Sequence, residues 1–82
     1  MDKKTHKKTE LDGRYLKLMR RVSSNVRRIR KSKGLTQEDM MVMGFERRWF
    51  QRIESGEYGV SLPTIDRLAR ALKVDVLEFF EP

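Results

Sequence analysis

The stretch LTQEDMMVMGFERRWFQRIESG, residues 35–56, decides how this chain folds. Thr36 is a good helix N-cap, and Asp39 three residues later completes a capping-box pattern. Acidic residues in that first turn suit the positive end of the helix dipole. A helix is therefore expected through residues 40–43, broken by Gly44. The next helix is expected from about Glu46 to Ser55 and Gly56, with Phe45, Phe50 and Ile53 on its buried side. Three arginines, Arg47, Arg48 and Arg52, share that short segment with Trp49 and Phe50. A helix turns about 100° per residue, so Phe50 and Ile53 can face a core while the arginines face away.

Upstream, Leu11, Tyr15, Leu18, Met19, Val22, Val26 and Ile29 recur at spacings of three and four, one face of a helix. Gly13 argues against helix before about Arg14. Gly34 is a natural left-handed stop, preceded by Lys31 and Lys33. Ser23 and Ser24 can cap a helix over about 23–33, with 14–22 either continuing it or forming a short extra helix. Residues 1–13 are expected to be a disordered basic tail, and 14–82 the folded domain. Downstream, EYGVS reads as a loop and Ser61 as the cap of a helix that tolerates Pro63 in its first turn. Ile65, Leu68, Ala69 and Leu72 supply its buried face. A short fifth helix is expected over 74–80, capped by Asp75, with Leu77 and Phe80 inward. Nothing reads as a strand of useful length. The fold class is all-α, a compact five-helix bundle with an N-terminal extension.

The 82 residues carry a formal net charge of +7, unevenly placed. Residues 1–34 hold thirteen Lys/Arg against three Asp/Glu, and residues 35–82 hold six against nine. That asymmetry points to an anionic partner, nucleic acid or a membrane surface. There is no cysteine, and His6 has no partner at metal-ligand spacing, so neither disulfide nor metal is expected. No apolar run reaches membrane-spanning length and no signal peptide is recognisable, so a cytoplasmic location is expected. No Ser/His/Asp arrangement or glycine-rich phosphate loop is present. A bundle this small has little room for a closed pocket, so neither enzyme activity nor a cofactor is expected.

Two short helices joined by a glycine-containing turn, about 36–55, have the form of a helix-turn-helix. LTQEDM, the Gly44 turn, the aromatic helix ending IESGE, and LPTIDRLARALKV occur in the order of the Cro-type (Xre, lambda-repressor-like) family, which this chain resembles over about residues 22–80. The resemblance implies a five-helix domain whose third helix enters the major groove of double-stranded DNA. It places Glu46, Arg47, Arg48, Gln51 and Arg52 on the base-reading face. Arginine suits that role because its planar fork bonds guanine O6 and N7 together. Gln37 takes the position of a phosphate contact at a helix N-terminus. Trp49 stands where the family usually has tyrosine, and Trp49, Tyr58 and Ser61 are further candidate phosphate contacts. Arg30 and Glu54 occupy positions that form a buried ion pair in some members. Met41 is larger than the family's usual residue, and the turn before Phe45 is one residue shorter, which leaves the angle between the two helices open.

What the resemblance implies is a sequence-specific transcription regulator, repressor-like or autoregulatory, acting as a homodimer. Leu77, Phe79 and Phe80 are the expected dimer contact, because adjacent phenylalanines cannot both enter one core. Lys3, Lys4, Lys7 and Lys8 are a candidate arm along DNA phosphates or a solubilising tail. An antitoxin, or another module that binds a toxin or small protein partner, is the alternative. A restriction–modification controller is a subtype of the first reading.

Overall fold

The computed structural model describes residues 8–82, with side chains from Gly13 onward. Its elements are α1 (Lys8–Ser32), α2 (Gln37–Val42), α3 (Arg47–Ser55), α4 (Leu62–Leu72) and a closing 3₁₀ turn (Val76–Phe80). No strand occurs among the described residues. The described residues are thus all-helical, with four α-helices and a 3₁₀ turn where five helices are expected.

α1 is one uninterrupted helix of 25 residues that passes through both Gly13 and the Ser23-Ser24 pair. Residues 8–13 are therefore helix and not tail, while 1–7, with His6, Lys3, Lys4 and Lys7, lie outside the described residues. An interior glycine costs about 1 kcal/mol relative to alanine. A helix already nucleated and packed absorbs that cost, because extension adds a hydrogen bond for each residue fixed. Ser23 starts no new helix because its hydroxyl is used elsewhere, donating to the Ile53 carbonyl at 2.6 Å.

α2 is only six residues long and depends on its cap. The Asp39 amide donates to Thr36 Oγ1 at 3.1 Å, and the Thr36 amide donates to Asp39 Oδ2 at 2.7 Å. That second bond holds the Asp39 carboxyl below its ordinary range. In α4, Ser61 is the N-cap and Pro63 sits in the first turn, where its missing N–H has no helical acceptor to satisfy. Lys73, at φ 59°, ends α4 in the left-handed conformation.

The last element differs from the sequence expectation in type and in face. It is 3₁₀, capped by Asp75, whose side chain accepts from the Leu77 amide at 2.8 Å. Phe79 is fully buried, Leu77 is 70 % exposed and Phe80 is half-buried. The inward residue is therefore Phe79, not Leu77 or Phe80. Three residues per turn place Phe79 directly beyond Val76. Asn25 on α1 fixes that register, donating Nδ2 to the carbonyls of Phe79 at 2.9 Å and Glu81 at 2.8 Å.

The core joins Val22, Val26 and Ile29 of α1 to Met40, Phe45, Phe50, Ile53, Ile65, Leu68, Ala69, Leu72 and Phe79. Phe45 and Phe50 meet edge to face, with centroids 5.7 Å apart. Each large side chain here is worth about 1.5–3 kcal/mol of burial, so α2 and α3 are held by packing more than by their own length. The upper part of α1 also packs on the domain. Tyr15, Leu18, Met19 and Val22 line an open apolar groove with Val60, Leu62, Ile65 and Phe80.

Candidate nucleic-acid interface

α3 is anchored on one side and free on the other. Phe50, Ile53 and Glu54 are buried, whereas Arg47, Arg48, Trp49, Gln51 and Arg52 are exposed. Gly56 ends the helix at φ 80°. A Cβ there would lie 3.3 Å from Arg20 Cγ, so glycine also allows α1 to approach. Glu46 is the N-cap, its carboxylate accepting from the Trp49 amide at 2.8 Å. The carboxylate placed on the base-reading face by resemblance is thus turned back onto its own helix.

A buried polar network sets the depth and angle of α3. Arg30 donates Nε to Glu54 Oε2 at 2.7 Å and Nη2 to Oε1 at 3.1 Å. Its Nη1 donates to the Leu35 carbonyl at 2.8 Å, tying in the loop before α2. Gln37 Nε2 donates to Glu54 Oε1 at 3.0 Å, so the side chain assigned to phosphate is half-buried and turned inward. One amide proton of Gln37 is taken by this bond and one remains. Arg27 Nη2 reaches the Glu54 carbonyl at 2.8 Å from the neighbouring turn of α1.

The exposed arginines differ in their surroundings. Arg47 forks onto Glu38 of α2, with Nη1 on Oε2 and Nη2 on Oε1, the latter at 2.9 Å. That hydrogen bond lowers the Glu38 carboxyl and raises the Arg47 guanidinium from their ordinary ranges. Arg52 stacks on Tyr58, 4.9 Å from the ring centroid. Arg48 and Gln51 point outward between these two. Ser61 caps α4, its hydroxyl donating to Thr64 Oγ1 at 3.0 Å.

Two contributors escaped the sequence reading. Glu38 was read only as a first-turn acid, yet it holds Arg47. Arg67 of α4 donates Nη2 to the Gly44 carbonyl at 2.8 Å and lies 4.5 Å from the Phe45 centroid and 5.9 Å from that of Trp49. It ties α4 to the turn between α2 and α3. Cross-domain pairs such as these carry no local signal. The paired-arginine segment was visible, but its partners were not.

The face these elements build is polar, arginine-rich and open. Among the described residues no group of three His, Cys, Asp or Glu side chains is placed to hold a metal ion. No helix there is long and apolar enough to cross a membrane.

The model of a family described as a helix-turn-helix domain matches residues 13–79. A protein of Sinorhizobium fredii (strain NBRC 101917 / NGR234), named as the uncharacterized HTH-type transcriptional regulator y4dJ, is 37% identical over 62 residues. That alignment covers 74% of this chain and 80% of the relative. No solved structure matches the chain.

Proposed function

The chain belongs to the helix-turn-helix domain family, in its Cro-type branch, and from that premise we propose that it is a transcription regulator that binds double-stranded DNA by sequence. The observation that carries this reading is the division of α3. Its inner face is locked by Phe50, Ile53 and the Arg30–Glu54 pair, and its outer face presents Arg48, Gln51 and Arg52 beside Arg47. A rigid helix with an exposed guanidinium face is what major-groove entry requires.

Within this reading Arg47, Arg48, Gln51 and Arg52 meet base edges or adjacent phosphates, and Glu46 acts as a cap. Gln37 offers its second amide proton to a phosphate while Glu54 holds it in place. Trp49 and Tyr58 lie on the exposed edges of α3 and the following loop, where a sugar-phosphate strand would run. Ser61 serves α4 first.

The regulator acts as a homodimer on a two-fold operator, with half-sites about 34–36 Å apart. Its contact rests on Leu77 and Phe80, because Phe79 belongs to the core. Repression of its own gene is the mode proposed with it. The apolar groove between Tyr15 and Phe80, about 180 Å³, supports a second reading, a small protein partner of the antitoxin kind. It is smaller than the usual small-molecule site of about 300–1,000 Å³, but it would take a side-chain anchor.

Fluorescence anisotropy tests the function. Duplex from the region upstream of the gene is titrated against a scrambled duplex at several salt concentrations. Preference of about 10³-fold or more for the native duplex supports the proposal. Equal, weak binding to both redirects the search to other operators or to a protein partner recovered by copurification.

A further inference from the structure

The α3 face leaves most of the positive charge unused. From Gly13 to Gln37 the sequence holds nine Lys/Arg, namely Arg14, Lys17, Arg20, Arg21, Arg27, Arg28, Arg30, Lys31 and Lys33, and no Asp or Glu. Arg30 is taken into the core and Arg27 turns to the α3 carbonyl. Arg14, Lys17, Arg21 and Arg28 are exposed and recur at spacings of three, four and seven, so they form one line along α1. At 1.5 Å per residue that line runs about 21 Å.

This line does not face the α3 side. Ser23, Arg27 and Arg30 are α1 residues bonded to α3, and they share one side of the helix. On a helical wheel, Arg21 and Arg28 lie about 160° and 140° away from Ser23 around the helix axis. The line instead borders a cleft between α1 and the C-terminal segment, lined by Lys17, Arg20, Arg21, Ser24, Asn25, Arg28, Glu81 and Pro82. Four cationic side chains there face one carboxylate side chain, that of Glu81. The cleft is also built. Buried Asn25 fixes the C-terminal segment through Nδ2, and its Oδ1 accepts from Arg28 Nε at 3.3 Å and Nη2 at 3.2 Å. Arg28 is thus oriented by a neutral acceptor that leaves its charge uncompensated.

We propose that this outer face of α1, with its cleft against the C-terminal segment, is a second binding site for the phosphate backbone of duplex DNA, separate from α3, so that one protein molecule can bridge two duplex segments. Guanidinium forks fit phosphate oxygens, and phosphate contacts need no apolar anchor. An amphipathic peptide would need one, and the cleft lining offers no large apolar side chain. The bridging rests on the α3 reading, and the binding that survives removal of Arg48 and Arg52 tests the α1 site apart from it.

The test uses the full chain and two duplexes, one immobilised and one fluorescent, with capture of the second as the readout. Wild type should capture it, with a steep loss as salt rises. The variant K17Q/R21Q/R28Q should lose capture by about tenfold or more, the effect of three lost phosphate contacts, while keeping its melting midpoint and its affinity for a single operator-bearing duplex. A charge-preserving R21K/R28K variant should retain capture. In an R48A/R52A background, the residual binding to duplex should vanish when the α1 charges are also removed. Unchanged capture by K17Q/R21Q/R28Q overturns the proposal. So does an equal fall in affinity for a single operator-bearing duplex, since α1 would then touch the duplex held by α3. Stronger competition from poly-glutamate than from duplex also overturns it, assigning the face to an acidic protein instead.

Discussion

Gln37 on α2 and Glu54 on α3 are joined at 3.0 Å through the same carboxylate oxygen that Arg30 of α1 reaches at 3.1 Å. Three helices therefore meet on one buried carboxylate, and the pair that fixes α3 also fixes the side chain at the start of α2. Removing one partner of a buried ion pair strands the other and costs about 3–5 kcal/mol. Arg30→Met should lower stability by that amount in urea unfolding. Arg30→Met with Glu54→Leu should recover most of it, because two apolar groups leave no stranded charge. An unchanged midpoint in Arg30→Met would show that the pair does not hold the domain. Gln37→Ala strips a hydrogen bond from the buried Glu54 carboxylate and should lower stability by about 1.5–3 kcal/mol, and it should weaken DNA binding by a similar amount if its free amide proton meets a phosphate.

The Glu38–Arg47 fork sets up a competition at the DNA face. Its carboxyl is held below the ordinary range by the Arg47 hydrogen bond. A group depressed in the folded state contributes stability above its unfolded pKa, about 4.3 for glutamate, and loses it as pH falls through the lower folded value. Both side chains are exposed, so the stability change should be slight. Binding is the more sensitive readout. Glu38→Gln removes a carboxylate beside the phosphates and frees Arg47, and it should tighten binding about fivefold. The gain should disappear in an Arg47→Ala background. Weaker binding by Glu38→Gln would mean that Glu38 orients Arg47 for its contact.

How far the sequence carried the fold follows from what each signal measures. Capping at Thr36, Ser61 and Asp75 is local chemistry, and all three residues cap their helices. The 3–4 spacing of Ile65, Leu68, Ala69 and Leu72 marks a buried face, and all four are buried. The start of α1 was not legible, because Gly13 has only a weak helix penalty that a long packed helix outweighs. The inward face of residues 76–80 is not legible because adjacent Phe79 and Phe80 offer two alternative apolar faces, and Asn25, more than fifty residues away, decides between them by holding the Phe79 carbonyl. Glu38, Arg67 and the inward turn of Gln37 were invisible for the same reason.

Gly56 and Gly34 separate backbone strain from crowding. Both adopt positive φ, 80° and 72°, but a Cβ at Gly34 meets nothing within 4 Å, whereas one at Gly56 lies 3.3 Å from Arg20 Cγ and 3.7 Å from Arg20 Cα. Gly34→Ala should cost about 1–2 kcal/mol, the left-handed penalty alone. Gly56→Ala should cost somewhat more, because the Arg20 side chain at 3.3 Å must give by a few tenths of an ångström. Truncating Arg20 to Ala should restore most of the difference, since its Cα at 3.7 Å is an ordinary contact. Equal costs at the two glycines in chemical denaturation would show that α1 and the end of α3 are not tightly apposed.

Arg67 should prove to be the outer clamp of the helix-turn-helix. It hydrogen-bonds the Gly44 carbonyl at 2.8 Å and covers Phe45 at 4.5 Å, so it couples α4 to the turn that sets the attitude of α3. Trp49 is the chain's single tryptophan and lies 5.9 Å from the same guanidinium, which makes its emission a reporter of that corner. Arg67→Ala removes one hydrogen bond and one cation–π contact, each worth about 0.5–1 kcal/mol at an exposed site. The variant should lose about 1–2 kcal/mol of stability, alter Trp49 emission in the native state, and bind operator and random duplex with less discrimination, because a looser turn lets α3 rock in the groove. Arg67→Lys keeps the charge but not the planar stack, so it should recover only part of the discrimination. If Arg67→Ala changes neither Trp49 emission nor the ratio of specific to random affinity, the α2–α3 geometry is set by the Phe45, Phe50 and Glu54 contacts alone.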